Sequence, residues 1–260
     1  MNTFRNLLPE IAGGFLELLW PTRCIGCDKI GVLLCSRCDN ELPRIDQLMA
    51  CPRCGAPYGK ILCTECYDSQ GFCELSFCAA VAALEYDGVA VRLVKEYKDQ
   101  HERRLSALMA HLLYQVIPAD WLLWANALGY IPADNRAIRR RGFDHMQDAA
   151  SELANITGLP VMHLLDKCEV VDQRLLGRAA RESNINAAFA VRSDALQSNQ
   201  PRSPSQPSAP SRAQPRSSLP AKLLLIDDVL TTGATMEAAA RALLEAGVDD
   251  IRVAVVARVW

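Results

Sequence analysis

Apolar residues recur along this chain with two different periods, and the change of period marks out its elements. Residues 77–86 form a nearly unbroken apolar run that stops at Asp87-Gly88, the pattern of a buried strand entering a turn. Helical spacing follows over 89–98 and again over 102–116, where Leu105, Leu108, Met109, Leu112 and Leu113 make one stripe. The short run 128–131 is halted by Pro132 and predicts a central strand opening into a loop over 132–141. A helix is predicted over 143–157, ending at Gly158, with strand candidates at 159–165 and 188–191. Leu223, Leu224, Leu225 and Ile226 then form a run short enough for a buried parallel strand. Asp227 and Asp228 follow it, then the loop Thr231-Thr232-Gly233-Ala234-Thr235, a helix over 236–246 closed by Gly247, and a strand over 251–256. Strand, acidic pair, hydroxyl-rich loop, helix and strand make a βαβ unit with a ligand site at its crevice.

The first twenty residues carry a narrower stripe, Leu7, Leu8, Ile11, Phe15, Leu18 and Leu19, which predicts an amphipathic helix over 1–20 docked on the next domain. Glu10 and Glu17 make its polar face acidic, which argues against both an export signal and a membrane-surface helix. No apolar run reaches the roughly 20 residues needed to span a bilayer, and a cytoplasmic protein is expected.

Composition adds one anomaly to an otherwise ordinary globular profile. Of 260 residues, half are hydrophobic and 22% charged, and 28 Lys+Arg against 30 Asp+Glu leave a net charge of −2, so no global field draws the protein to nucleic acid. Ten of eleven cysteines, however, lie between Cys24 and Cys78. Eight of them form four Cys-x-x-Cys pairs, Cys24/Cys27, Cys35/Cys38, Cys51/Cys54 and Cys63/Cys66. A two-residue gap lets both thiolates of a knuckle reach one ion, and two knuckles complete a tetrahedral zinc site. Two structural Zn²⁺ ions follow if consecutive pairs share an ion, while interleaved pairing satisfies the spacing equally. Disulfides fit poorly with a chain lacking an export signal, and so short a segment needs metal to supply much of its folding energy. A second shift of composition falls at 198–220, which holds six of the fourteen prolines, many serines and no acid: a flexible insert on which no fold is imposed.

The chemistry concentrates at 227–235. A Thr-Thr-Gly-Ala-Thr loop feeding a helix N-terminus suits a phosphate, because amides and hydroxyls donate inward and the helix dipole favours an anion. The lysine of a Walker loop is missing, which speaks against nucleoside triphosphate hydrolysis. Carboxylates just before such a loop repel a bare polyphosphate but accept hydrogen bonds from sugar hydroxyls, so a phosphorylated ribose satisfies both halves. Upstream, Arg136, Arg139, Arg140 and Arg141 suit a multiply charged leaving group, since guanidinium pairs with phosphate bidentately.

At this point the sequence resembles a family. LLLIDDVLTTGAT at 223–235 resembles the phosphoribosyl pyrophosphate (PRPP) motif of type I phosphoribosyltransferases. The four knuckles, Arg140-Arg141-Gly142-Phe143, and the series Gln173, Arg178, Arg181, Asn184, Ala188 and Phe189 narrow it to the ComF/ComFC competence-associated proteins, including GntX-like members. The resemblance implies an α/β fold: a Rossmann-like parallel sheet of the type I phosphoribosyltransferase kind over 71–260, behind a small double zinc ribbon over 21–70. It implies that Asp227 and Asp228 bind the ribose 2′ and 3′ hydroxyls, that Thr231, Thr232, Gly233, Ala234 and Thr235 surround the 5′-phosphate, and that Arg139, Arg140 and Arg141 serve the pyrophosphate side. Arg178 and Arg181 would close over pyrophosphate as part of a mobile cover, with Mg²⁺ accompanying PRPP. Asp227, Asp228 and Arg141 are the catalytic candidates for attack on C1 of PRPP by an acceptor that the sequence does not name. The alternative is a non-enzymatic PRPP-binding module whose ribbons contact single-stranded DNA or the proteins of DNA uptake and recombination. The family's Arg-Gly-Phe-Asn-Gln appears here as Arg141-Gly142-Phe143-Asp144-His145, with Asp144 expected to alter anion affinity and His145 expected to be a local helix residue. Both acids, at a strand end facing a crevice, are expected to be exposed without ligand.

Overall fold

An apolar run with no polar face has to be covered on both sides, and Leu223 to Ile226, each at most 1% exposed, lie in the middle strand of a five-stranded parallel sheet. The computed structural model describes residues 21–68, 71–72, 75–99, 102–168, 188–193 and 219–260. In chain order the strands are β1 (Tyr67–Asp68), β2 (Gly71–Phe72), β3 (Ala79–Glu85), β4 (Ala127–Tyr130), β5 (Val161–Met162), β6 (Leu165–Lys167), β7 (Phe189–Val191), β8 (Lys222–Leu230) and β9 (Asp250–Arg258). The helices are α1 (Ser36–Asn40), α2 (Gly88–Asp99), α3 (Ser106–Val116), α4 (Ala119–Trp124), α5 (Asn135–Arg141), α6 (His145–Thr157) and α7 (Ala234–Ala246). The sheet runs β3-β9-β8-β4-β5, and every neighbouring pair in it is parallel. One apolar cluster joins α2, α3 and α6 to one face, and a second seats α7 and the antiparallel pair β6–β7 on the other.

This order places the site. From β8 the chain crosses through α7 to β9 on one side, whereas from β4 it crosses through α6 to β5 on the other. Adjacent strands that wind in opposite directions leave a crevice at their carboxyl ends, where the connections part. Register deepens it: Tyr130, the last residue of β4, pairs with Ile226, so β8 continues beyond its neighbour.

Four predicted boundaries are corrected. The strand predicted over 223–226 runs on to Leu230, because β9 offers partners as far as Arg258, and Asp227 and Asp228 therefore lie within the strand rather than after it. The loop predicted over 132–141 closes into α5, started by Asp134, whose side chain accepts from the Ala137 amide at 2.7 Å, and stopped at Gly142. The strand predicted over 159–165 divides into β5, which stays in the main sheet, and β6, which leaves it to pair with β7. The helix predicted over 102–116 begins with a 3₁₀ turn, Arg103–Leu105.

The segment between the second and third Cys-x-x-Cys pairs is built into the sheet. Ile45 donates its amide to the Ala83 carbonyl at 3.0 Å, Glu85 donates to the Pro43 carbonyl at 2.8 Å, and Gln47 Nε2 reaches the Ala82 carbonyl at 2.9 Å. These bonds cover the open edge of β3, and Leu42 and Ile45 enter the two apolar clusters. Among the described residues no helix is long and apolar enough to cross a membrane.

Candidate functional site

The cysteines resolve the pairing that spacing left open. Cys24, Cys27, Cys35 and Cys38 bring their sulfurs within 4.8 Å of one another, and so do Cys51, Cys54, Cys63 and Cys66, so consecutive pairs share a centre. Sulfurs of Cys27 and Cys35 stand 3.7 Å apart and those of Cys54 and Cys63 3.5 Å, near the edge of about 3.8 Å that a tetrahedron with Zn–S of about 2.3 Å requires. All eight thiols are free of disulfides, and the four-sulfur donor set suits Zn²⁺. Burial, with the neighbouring Cys51 charge adding to it, pushes the Cys54 thiol up to about 11, a shift that a bound cation would oppose. Gly26 is required by the fold of the first knuckle, since a Cβ there would overlap the Cys38 side chain. The second quartet is wholly buried, while Cys27 of the first is exposed.

The crevice between β4 and β8 holds a cleft of about 230 Å³, floored by Asp227 and Asp228 and walled by Lys98, Arg141, His145 and Lys167. Thr231 and Thr235 line its other end, where α7 begins. Gly233 takes φ +81° as the N-cap of α7 and offers no side chain to the first-turn amides, which Thr232 Oγ1 reaches only at 3.5 Å. An uncapped helix N-terminus at the mouth of a cleft is the position for an anion.

Both acids are buried, at 8% exposure for Asp227 and 3% for Asp228, and the expectation that they are exposed without ligand is corrected. The cause is local: Lys98 from α2 and His145 from α6 close over them. Lys98 Nζ lies 3.1 Å from Asp228 Oδ2, and His145 Nε2 lies 3.0 Å from the same oxygen. His145 Nδ1 in turn faces Arg141 Nη1 at 2.8 Å. Burial opposes the charge on Asp228, but the His145 hydrogen bond and the Lys98 charge outweigh it and hold this carboxyl well below the usual range. Asp227 has the reverse fate: burial first and then the Asp228 charge push it well above the usual range, while its Oδ1 accepts the Asp228 amide at 2.8 Å. The two adjacent acids therefore differ, Asp228 ionised and Asp227 the last to release its proton.

The candidates predicted from sequence divide by position. Asp227, Asp228, Thr231, Thr235 and Arg141 are brought to one cleft, with Thr232, Gly233 and Ala234 at its rim. Arg141 is 9% exposed, and its Nε has no hydrogen-bond partner among the described residues, an orphaned donor that fits an anion. Arg139 and Arg140 are exposed and do not line the cleft, because successive helical residues point about 100° apart and only one of the three can face inward. Arg178, Arg181, Gln173 and Asn184 lie outside the described residues, as do residues 1–20 and 198–218. Leu219 and Pro220, placed by composition at the end of the insert, are buried, Leu219 in the cluster under α7.

Asp144 does not present its carboxylate to the cleft. It caps α6, accepting from the Met146 amide at 3.0 Å and the Gln147 amide at 3.4 Å, and its other oxygen accepts from the Ala133 amide at 3.0 Å. His145, expected to be a local helix residue, is the first residue of α6 but lies in the site, touching both Asp228 and Arg141. Lys98 and Lys167 carried no sequence signal, since each is one lysine among the polar positions of an ordinary element.

Comparison with known proteins accords with this geometry. The model of the double zinc ribbon domain matches residues 15–67, and that of the phosphoribosyl transferase domain matches residues 173–259. Competence protein ComFC of Streptococcus pneumoniae (strain ATCC BAA-255 / R6) is 26% identical over 220 residues, 84% of each chain. The chain is thus similar to a ComFC protein over most of its length. Like that relative's match, which spans nearly the whole length, the cleft draws on more than the transferase match alone: Lys98, Arg141 and His145 all precede residue 173. A solved structure of the allosteric regulatory enzyme of purine biosynthesis aligns with 62% of this chain and 30% of its own, at 17% identity and a TM-score of 0.38.

Proposed function

We propose that the cleft binds PRPP and that the protein transfers its phosphoribosyl group, releasing pyrophosphate. The observation that carries the reading is the buried Asp227–Asp228 pair set between the uncapped N-terminus of α7 and the Arg141 guanidinium. Asp228 and Asp227 take the ribose hydroxyls, the 231–235 segment and α7 take the 5′-phosphate, and Arg141 with Lys98 faces the pyrophosphate. The leaving pyrophosphate departs with the electron pair of its bond to C1 as the acceptor's lone pair arrives. The ionised Asp228 stabilises the positive charge that grows on the sugar, and Arg141 stabilises the charge on the departing oxygens. Mg²⁺, entering with PRPP and meeting the carboxylate oxygens of Asp227 and Asp228, would supply further neutralisation of the leaving group. The name of the pneumococcal relative supports a place in competence, with the acceptor drawn from nucleic acid metabolism or DNA utilisation.

The alternative, PRPP binding without transfer and with nucleic acid held at the surface, is favoured by one observation, the exposed positions of Arg139 and Arg140 on α5 beside the cleft. Pyrophosphate release separates the two. Zinc-loaded protein incubated with PRPP and Mg²⁺, and with nucleobases, amines or single-stranded DNA as acceptors, is expected to release pyrophosphate with one class. Binding of PRPP with no release in any arm would establish the alternative.

A further inference from the structure

Arg258, the last residue of β9, is 2% exposed, and a guanidinium so far from water requires a counter-charge. It stands opposite Leu230, where β8 ends. Its Nη1 donates to the Leu230 carbonyl at 3.3 Å, to the carbonyl of Thr231, first residue of the 231–235 loop, and to that of Val259. Its Nη2 donates to Glu65 Oε2 at 2.5 Å. Glu65 lies between Cys63 and Cys66, so the second ribbon supplies the anion that this buried cation needs. The far end of the loop is held separately. Glu237, in the first turn of α7, accepts from the Ser76 amide at 2.7 Å and the Ser76 hydroxyl at 2.6 Å, and its own amide donates to the Gly233 carbonyl at 2.8 Å.

We propose that Arg258 is a positioning residue that, anchored by Glu65, presets the β8 end of the 231–235 loop and so makes the second ribbon part of the phosphate site. The inference rests on the reading of that loop as the seat of the 5′-phosphate. In a trans peptide the carbonyl and the following N–H point in opposite directions. Thr231 lines the cleft and Arg258 does not, so the arginine grips the Thr231 carbonyl from behind and turns the Thr232 N–H away from itself, towards the cleft. A donor aimed before the ligand arrives needs no reorganisation on binding. The guanidinium also sets a positive charge behind the loop, in surroundings that screen it poorly. Without Glu65 the buried charge would lose its anion and turn towards water, releasing the Thr231 carbonyl. A lysine would keep the charge but lacks the planar fork that reaches carboxylate and carbonyl together.

Glu65 is exposed, so Glu65→Ala opens no cavity, and Arg258→Lys reaches the same contacts without touching the cysteine segment. Ribose 5-phosphate and Mg²⁺-pyrophosphate are titrated separately by calorimetry into wild type, each variant and the double variant, at equal zinc content. Each single variant is expected to weaken ribose 5-phosphate about tenfold and to leave pyrophosphate, which faces Arg141, within about twofold. Because both changes break one chain of contacts, the double variant should bind no more weakly than the weaker single one. Equal loss of both ligands, undiminished binding of ribose 5-phosphate, or additive effects in the double variant would overturn the proposal. Nitrogen relaxation of ligand-free protein gives a readout that needs no ligand. Order parameters of the Thr232 and Gly233 amides are expected at about 0.85 in wild type and nearer about 0.6 in Glu65→Ala, with β8 unchanged. Equal order in both proteins would also overturn it. Failure of wild type to bind either ligand would defeat the reading of the cleft, leaving the relaxation measurement to decide the role of Arg258.

Discussion

Asp227 and Asp228 are neighbours on one strand with opposite electrostatic fates, and each makes a separate prediction. Asp227 has a raised folded pKa, so it burdens the fold increasingly as pH rises from its unfolded value of about 3.9 towards the folded one, and fully above that. Asp227→Asn, which keeps the acceptor for the Asp228 amide, is expected to raise the melting temperature at neutral pH by roughly 2–4 °C per kcal/mol relieved, to leave it unchanged below about pH 4, and to weaken PRPP binding. Asp228 has a lowered folded pKa, so its contribution is complete above about pH 4 and is lost only as pH falls through the lower folded value. Asp228→Asn should therefore cost about 1–3 kcal/mol at neutral pH, since it leaves His145 and Lys98 without their anion. Thermal melts from about pH 3 to about pH 8 check both signs. Arg141 makes a third prediction: a bidentate clamp depends on geometry, so Arg141→Lys should impair PRPP binding by about tenfold or more at constant charge. Arg139→Lys and Arg140→Lys, at exposed positions, should not. Equal tolerance at all three would assign α5 to a surface governed by charge alone.

At the scale of elements, the βαβ unit from Leu223 to Val256 was legible because a buried parallel strand has no polar face to hide and because glycine closes the helix. The extent of β8 was not legible, since Asp227 and Asp228 are poor strand formers held there by register with β9 and, at Asp228, by Lys98 of α2 and His145 of α6. Nor was α5, whose seven residues carry four arginines and no apolar stripe; its caps, Asp134 and Gly142, are what make it a helix. That helix explains why one arginine of the three at 139–141 reaches the cleft. The insert also belongs to this scale. Residues 194–218 connect described ends at Ser193 and Leu219, and Leu219 packs beneath α7. Replacing 198–218 by a short Gly/Ser turn, with Leu219 and Pro220 retained, should leave PRPP affinity within about threefold, because each doubling of loop length costs only about 0.6 kcal/mol. A larger loss in calorimetry would mean that the insert packs on the site.

Across the whole molecule, the ribbons and the transferase sheet are physically joined. Bonds between 42–47 and β3 cover the sheet edge, and Arg258 at the end of β9 contacts Glu65 Oε2 at 2.5 Å within the fourth Cys-x-x-Cys pair, while also donating to the Thr231 carbonyl beside the cleft. Eight cysteines at ligand spacing made metal-binding knuckles visible in the sequence, but nothing in their spacing foretold this docking or the difference in exposure between the quartets. That difference makes a prediction: a chelator should remove about two zinc ions per chain in two phases, the centre containing the exposed Cys27 first, with hydrogen exchange rising at 42–47 and at β3 afterwards and β8 staying protected. The cleft was half visible. Asp227, Asp228, the 231–235 loop and Arg141 lie in contiguous motifs, whereas Lys98 arrives from a distant helix, and the contact of His145, four residues after Arg141, with Asp228 is defined only by the fold. The central claim is that this cleft is a PRPP site, and a calorimetric titration of PRPP with Mg²⁺ tests it most directly. Zinc-loaded wild type should bind saturably at one site per chain, and the folded Asp227→Asn/Asp228→Asn variant should lose that binding; no binding by wild type, or undiminished binding by the variant, would contradict the account.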